Sequence, residues 1–131
     1  MKTEIREEII VELDNRPGAL AAVLDRLAQA GVNALAVCAY ATDGKGAVHV
    51  VPDQVARAKE ALRQAGVAFR TTLVVVAVTQ DVPGAAAEIA RRIAERGINL
   101  EHCYATGIGR GEARVVLRAA DNAGAKEALG A

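Results

Sequence analysis

The sequence predicts an α/β protein, in layers an α+β sandwich, made of two tandem copies of one βαββα unit with antiparallel strands and helices on one face. Three observations carry this. The first is a repeat: Pro17-Gly18-Ala19 returns as Pro83-Gly84-Ala85, and Gly31-Val32-Asn33 as Gly97-Ile98-Asn99, every pair 66 positions apart without a gap. A fixed period of this length marks an internal duplication. The second is that each copy alternates runs of β-branched residues with apolar positions at helical spacing. The third is composition, since 52% hydrophobic and 24% charged residues are the balance of a chain that can bury a core.

Each element has its own signal. Glu8 to Leu13 is rich in β-branched residues and stops at Asn15-Arg16-Pro17-Gly18, which predicts a strand. Pro17 suits the first turn of a helix, where its missing N–H costs nothing. Leu20, Val23, Leu24 and Leu27 then share one helical face, and Gly31 marks the stop. A strand is expected at Asn33 to Ala41, a reversal at Thr42-Asp43-Gly44-Lys45-Gly46, and a strand at Ala47 to Val51. Asp53 is the expected N-cap of a helix that turns Val55, Ala58 and Leu62 inward. Val67 to Thr71 offers the first copy a last strand. The second copy follows with a strand at Leu73 to Gln80, a helix to Glu95, strands at Asn99 to Thr106 and Glu112 to Arg118, and a short helix after Asp121.

The domains expected are therefore residues 1–70 and 71–131. The second copy lacks residues for its own last strand, so one sheet edge needs a cover. A two-fold homodimer would supply one, and the N-terminal Met1 to Arg6 segment is the other device at hand.

Charge and composition exclude several classes of function. Sixteen basic and sixteen acidic side chains cancel, so the chain has no net attraction for nucleic acid or an anionic membrane. Its three aromatic residues, Tyr40, Phe69 and Tyr104, cannot build a base-stacking platform. No apolar run approaches the ~20 residues that span a bilayer, and no apolar stretch follows the charged N-terminus as in a signal peptide. The expected location is the cytoplasm, with Cys38 and Cys103 as reduced thiols. His49 and His102 lie singly on predicted strands, and neighbours such as His102 and Cys103 point to opposite faces. No acid, base and oxyanion site is assembled by these residues, so no enzyme, cofactor or metal is expected. Gly107-Ile108-Gly109-Arg110-Gly111 lies between two strands and lacks a Lys-Ser/Thr ending, so it reads as a hairpin and not a phosphate loop.

The chemistry that remains sits where strand gives way to helix. A Pro-Gly junction leaves backbone N–H groups unpaired at a helix start, and these with the helix dipole attract a carboxylate. Gly18 and Gly84 allow close approach because they carry no Cβ. Asn15 offers a donor and an acceptor together, which suits a zwitterion. Asn33 begins the next strand, a point expected to return beside the first loop. Set against this, Asn15 and Asp81 also fit helix caps, and Gly31-Val32-Asn33 fits a helix stop.

The strand order, the Asn15-Arg16-Pro17-Gly18-Ala19-Leu20 loop and the Gly31-Val32-Asn33 exit resemble the ACT-domain family, and the resemblance covers nearly the whole chain twice. It implies ferredoxin-like repeats and a regulatory module that binds a small amino acid at ACT-type interfaces. Its partner would be a second copy, or an amino-acid biosynthetic enzyme or regulator; a purely structural assembly module is the alternative. The site residues implied are Asn15, Arg16, Pro17, Gly18, Ala19, Leu20 and Asn33 in the first copy. In the second they are Asp81, Val82, Pro83, Gly84, Ala85 and Asn99. Family members that bind serine resemble this loop but carry His where Leu13 and Thr79 stand, which points away from serine. Asp81 in place of an Asn adds a charge that favours an ammonium and repels a carboxylate.

Overall fold

The computed structural model describes residues 1–130, so Ala131, within the expected 71–131 repeat, lies outside the described residues. The elements run β1 (Lys2–Asp14), α1 (Ala19–Gln29), β2 (Ala34–Thr42), β3 (Lys45–Pro52), α2 (Val55–Gln64), β4 (Arg70–Gln80), α3 (Ala85–Glu95), β5 (Leu100–Thr106), β6 (Glu112–Ala119) and α4 (Asn122–Ala128). The chain divides into two compact units, Glu7–Thr72, and Met1–Arg6 together with the chain from Leu73 onward.

In the Glu7–Thr72 unit the strands lie in the order β2-β3-β1, with the opening residues of β4 beyond β1. β3 pairs antiparallel with both neighbours. Alternation along β1 and β3 sends Ile9, Val11, Val48 and Val50 to one face, where Val23 and Leu27 of α1 and Ala58 and Leu62 of α2 complete the core. Leu13, Val67 and Phe69 close its margin, and the Arg63 guanidinium lies 5.6 Å from the centre of the Phe69 ring. The reverse face carries Glu8, Ile10, His49 and Val51, all buried. There the Glu8 carboxylate meets His49 Nδ1 at 2.8 Å, and His49 Nε2 lies 3.2 Å from the Tyr40 hydroxyl.

The other unit repeats the plan around β4, β6 and β5, with β6 between its two antiparallel partners. Val75, Ala77, Val115 and Leu117 face Ile89 and Ile93 of α3 and Ala125 and Leu129 of α4. Its fourth strand is Lys2–Arg6, the opening of β1, set beside β4 as Arg70–Thr72 is set beside β1 in the first unit. The segment thus holds the fourth-strand place in this unit. A local reading begins the strand at Glu8 because Lys2-Thr3-Glu4-Ile5-Arg6 holds three charges and one large apolar residue, whereas its pairing is specified by residues far along the chain.

One expected cap is replaced. Asp53 does not cap α2; Gln54 holds the N-cap position without a side-chain bond. The Asp53 carboxylate instead accepts the Asn33 N–H at 2.9 Å, while its own N–H donates to the Asn33 carbonyl at 2.9 Å. The clasp satisfies an orphan donor at the entry to β2. Asp121 does cap α4, its carboxylate accepting the Gly124 N–H at 2.9 Å.

Candidate functional site at the strand-to-helix loops

The two strand-to-helix loops fold alike because each is a Pro-Gly turn. The Ala19 N–H donates to the Arg16 carbonyl at 3.3 Å, and the Ala85 N–H to the Val82 carbonyl at 3.2 Å. Gly18 and Gly84 stand third in these turns at φ 86° and 88°, the left-handed geometry that a type II turn requires after proline. Each glycine is also the helix N-cap, with no side-chain bond to the first turn. Neither Asn15 nor Asp81 caps a helix, and Pro17 precedes α1 instead of opening it. The turn has taken over the role of a capping side chain, so Asn15 is exposed and unpartnered among the described residues. Arg16 is exposed beside it with a loose 3.7 Å pair to Asp14, Ala19 is buried, and Leu20 packs on the core margin.

Asp81 is occupied differently. Its carboxylate accepts the Gly109 N–H, and its backbone N–H donates to the Gly111 carbonyl at 2.8 Å. A side chain at Gly107 would collide with that carboxylate, so the Gly107 to Gly111 hairpin is shaped around Asp81. The negative charge expected to attract an ammonium is thereby shared with the protein's own amide.

Asn33 and Asn99 do not return beside their loops. Asp14, the last residue of β1, pairs with Lys45 at one end of β3, and Ala34, the first of β2, pairs with Pro52 at the other. Gln80 with Glu112 and Leu100 with Ala119 repeat the arrangement. At about 3.3 Å per strand residue the two ends stand roughly 20 Å apart, because the helix carries the chain back along the sheet before the next strand begins. One unit therefore holds its Pro-Gly loop at one end and its Asn at the opposite end.

A cleft of about 740 Å³ opens at the loop end of the second unit. Its walls are Thr79, the Val82-Pro83-Gly84-Ala85 turn, Glu88 and Arg92 of α3, Glu112 of β6, Leu129 and Gly130 after α4, and Met1 and Lys2. Arg92 Nε donates to Glu88 at 2.8 Å, and Arg92 Nη1 reaches the Leu129 carbonyl at 3.4 Å. The Arg91 guanidinium, and after it Arg92, hold the Glu88 carboxyl below the usual carboxylate range. With Lys2 and Glu112 the cleft shows both signs of charge on a lining of mixed polar and apolar residues, which fits a zwitterion. Sequence reasoning reached the turn but not Lys2, Glu88, Arg92 or Glu112 as one site, because three separated elements, β1, α3 and β6, bring them together.

No curated protein matches the sequence. Among solved structures, a protein of Bacteroides thetaiotaomicron is similar at 25% identity with a TM-score of 0.87, over 97% of this chain and 88% of that one. Aspartokinase alpha and beta subunits give 20% and 0.69 over 98% and 95%. The ligand-free regulatory subunit of aspartate kinase from Thermus thermophilus gives 18% and 0.68 over the same shares, 98% and 95%. These are likenesses of fold over nearly the whole chain. A family model described as an ACT domain pair matches residues 5–129, and the chain belongs to that family.

Proposed function

We propose that this ACT domain pair is a non-catalytic regulator that binds an amino acid and passes the event, through packing, to a second copy or to an amino-acid biosynthetic enzyme or regulator. The observation that carries the reading is Asn15, exposed and unpartnered beside a turn that leaves the next amides of α1 without a side-chain cap. Such a corner offers a carboxylate the helix start and an ammonium the Asn carbonyl. The Thermus thermophilus protein that shares the fold is itself a regulatory subunit of aspartate kinase. Because Asn15 and Asn33 stand at opposite ends of one sheet, a ligand that meets both does so across an interface between copies, as in a homodimer. The test is a thermal shift with each of the twenty amino acids, since a ligand of the native state stabilises it by mass action. A raised Tm with a subset, and dimer mass by light scattering, are the expected results.

The bound Asp81 carboxylate favours a second reading for the second copy, in which its loop is structural. If none of the twenty amino acids shifts Tm, the whole chain is an assembly module.

A further inference from the structure

The two units fill the space under their loops in opposite ways. In the first, Leu13 and Phe69 pack on the core, and Arg63 covers the Phe69 ring. The repeat period carries these positions to Thr79 for Leu13 and Thr3 for Phe69. The correspondence of Thr3 is structural too, since Lys2–Arg6 holds the place beside β4 that Arg70–Thr72 holds beside β1. α4 runs one position later than α2 relative to the period, as its core residues Ala125 and Leu129 against Ala58 and Leu62 show. Gly130 therefore stands for Arg63. A leucine, an aromatic ring and a guanidinium are replaced by two threonines and a glycine, and the cleft of about 740 Å³ lies where Thr79 and Gly130 stand for Leu13 and Arg63, whereas Thr3 lines a separate, smaller hollow with Val76 and Val78. The hydroxyl of Thr3 is buried without a hydrogen-bond partner among the described residues, a costly state for a polar atom.

The deeper halves of the two cores match. Ile89, Ile93 and Leu129 are buried as Val23, Leu27 and Leu62 are, so the emptied volume is confined to the loop end. Its rim is charged where the first unit's is not: Glu88 stands where Ala22 does, and Lys2 where Ala68 does. Pockets that take small molecules combine an apolar bed of about 300–1,000 Å³ with a few polar groups that set orientation.

We propose that this cleft binds a small molecule bearing a carboxylate and an apolar group of leucine or phenylalanine size, the apolar group seating where the first unit carries its own Leu13. Taken with the sensor reading above, on which its amino group rests, the ligand is an amino acid with a large apolar side chain. Arg92 and Lys2 face its carboxylate, and Glu88 and Glu112 its ammonium. The site lies within one unit and is separate from any site at Asn15.

Calorimetry on the full chain tests this with leucine, phenylalanine, serine, aspartate and lysine, and with 4-methylvalerate and 3-phenylpropionate, which lack the ammonium. Thr79→Leu, which restores the first unit's residue, and Thr79→Phe each fill the cleft from its wall. Each should weaken leucine or phenylalanine binding by roughly tenfold or more while circular dichroism shows a folded chain whose Tm is unchanged or raised. Arg92→Gln, which leaves the cleft open, should weaken binding as well. If polar amino acids alone bind, or if filling the cleft changes nothing while Asn15→Ala abolishes binding, the cleft proposal falls and the sensor reading stands. If only 4-methylvalerate and 3-phenylpropionate bind, and filling removes them, the cleft stands and the sensor reading falls. Binding of none of the seven overturns both.

Discussion

Asn15 is exposed and makes no hydrogen bond among the described residues, so removing its amide should leave the fold untouched and act on ligand alone. For Asn15→Ala the expectation is a loss of about 1.5–3 kcal/mol in amino-acid binding with an unchanged denaturation midpoint; calorimetry beside a urea titration measures both. Glu8 is the opposite case. Its side chain is fully buried and holds His49 Nδ1 at 2.8 Å, so Glu8→Ala leaves a buried imidazole short of an acceptor. The expected cost is about 1.5–3 kcal/mol of stability, seen as a lowered urea midpoint with amino-acid binding at Asn15 unaffected. His49 reads from sequence only as a lone strand histidine, packed or exposed, and the structure buries it. What the sequence does not disclose is its carboxylate partner, because Glu8 sits 41 positions away beside Glu7, an acid that pairs with Lys59 instead.

At the scale of elements, the Pro-Gly turns are where the residues most nearly dictate local structure, although Pro17 lies before α1 and not in its first turn. Proline fixes one φ and glycine alone accepts the next, so the local code leaves the chain little choice. Gly18→Ala would meet open space yet keep φ near 86°, and the expected cost is about 1–2 kcal/mol from backbone strain alone. A D-alanine at the same position, introduced by ligation, should restore stability; equal loss with both enantiomers would show a packing effect instead. Asp53 was less legible, since an acid before a helix fits a cap and a clasp on Asn33 equally well until the strands are placed. On α3, Glu88 pairs with Arg91 and Arg92, and its carboxyl is held below its ordinary 4.5, first by Arg91. A depressed acid stabilises the fold above its ordinary value, and that contribution is lost as pH falls below 4.5 through the depressed one. Carboxyl NMR titration should show Glu88 protonating at lower pH than an exposed glutamate, and Arg91→Gln should move it back up.

For the whole molecule, the duplication was legible because Pro, Gly and Asn recur at one period, whereas the exchange of strands and the cleft were not. Both depend on comparing residues 66 positions apart or on pairing segments that local pattern cannot join. Deleting Met1–Arg6 should remove a strand from the unit that follows Leu73. Amide exchange is expected to quicken first at Val75 and Ala77, ahead of Val48 and Val50; simultaneous loss at both would show one cooperative body. The strand exchange also has a consequence in time. During synthesis Lys2–Arg6 leaves the ribosome first, but the strand it sits beside, Leu73 to Gln80 of β4, is made more than sixty residues later. At roughly 5–20 residues per second the segment waits several seconds, and its exposed Ile5 and charged neighbours are what a nascent chain presents to the cell in that interval. The charges of Lys2, Glu4, Arg6 and Glu7 are of the kind that disfavours pairing of an exposed strand with another chain before its own partner is made.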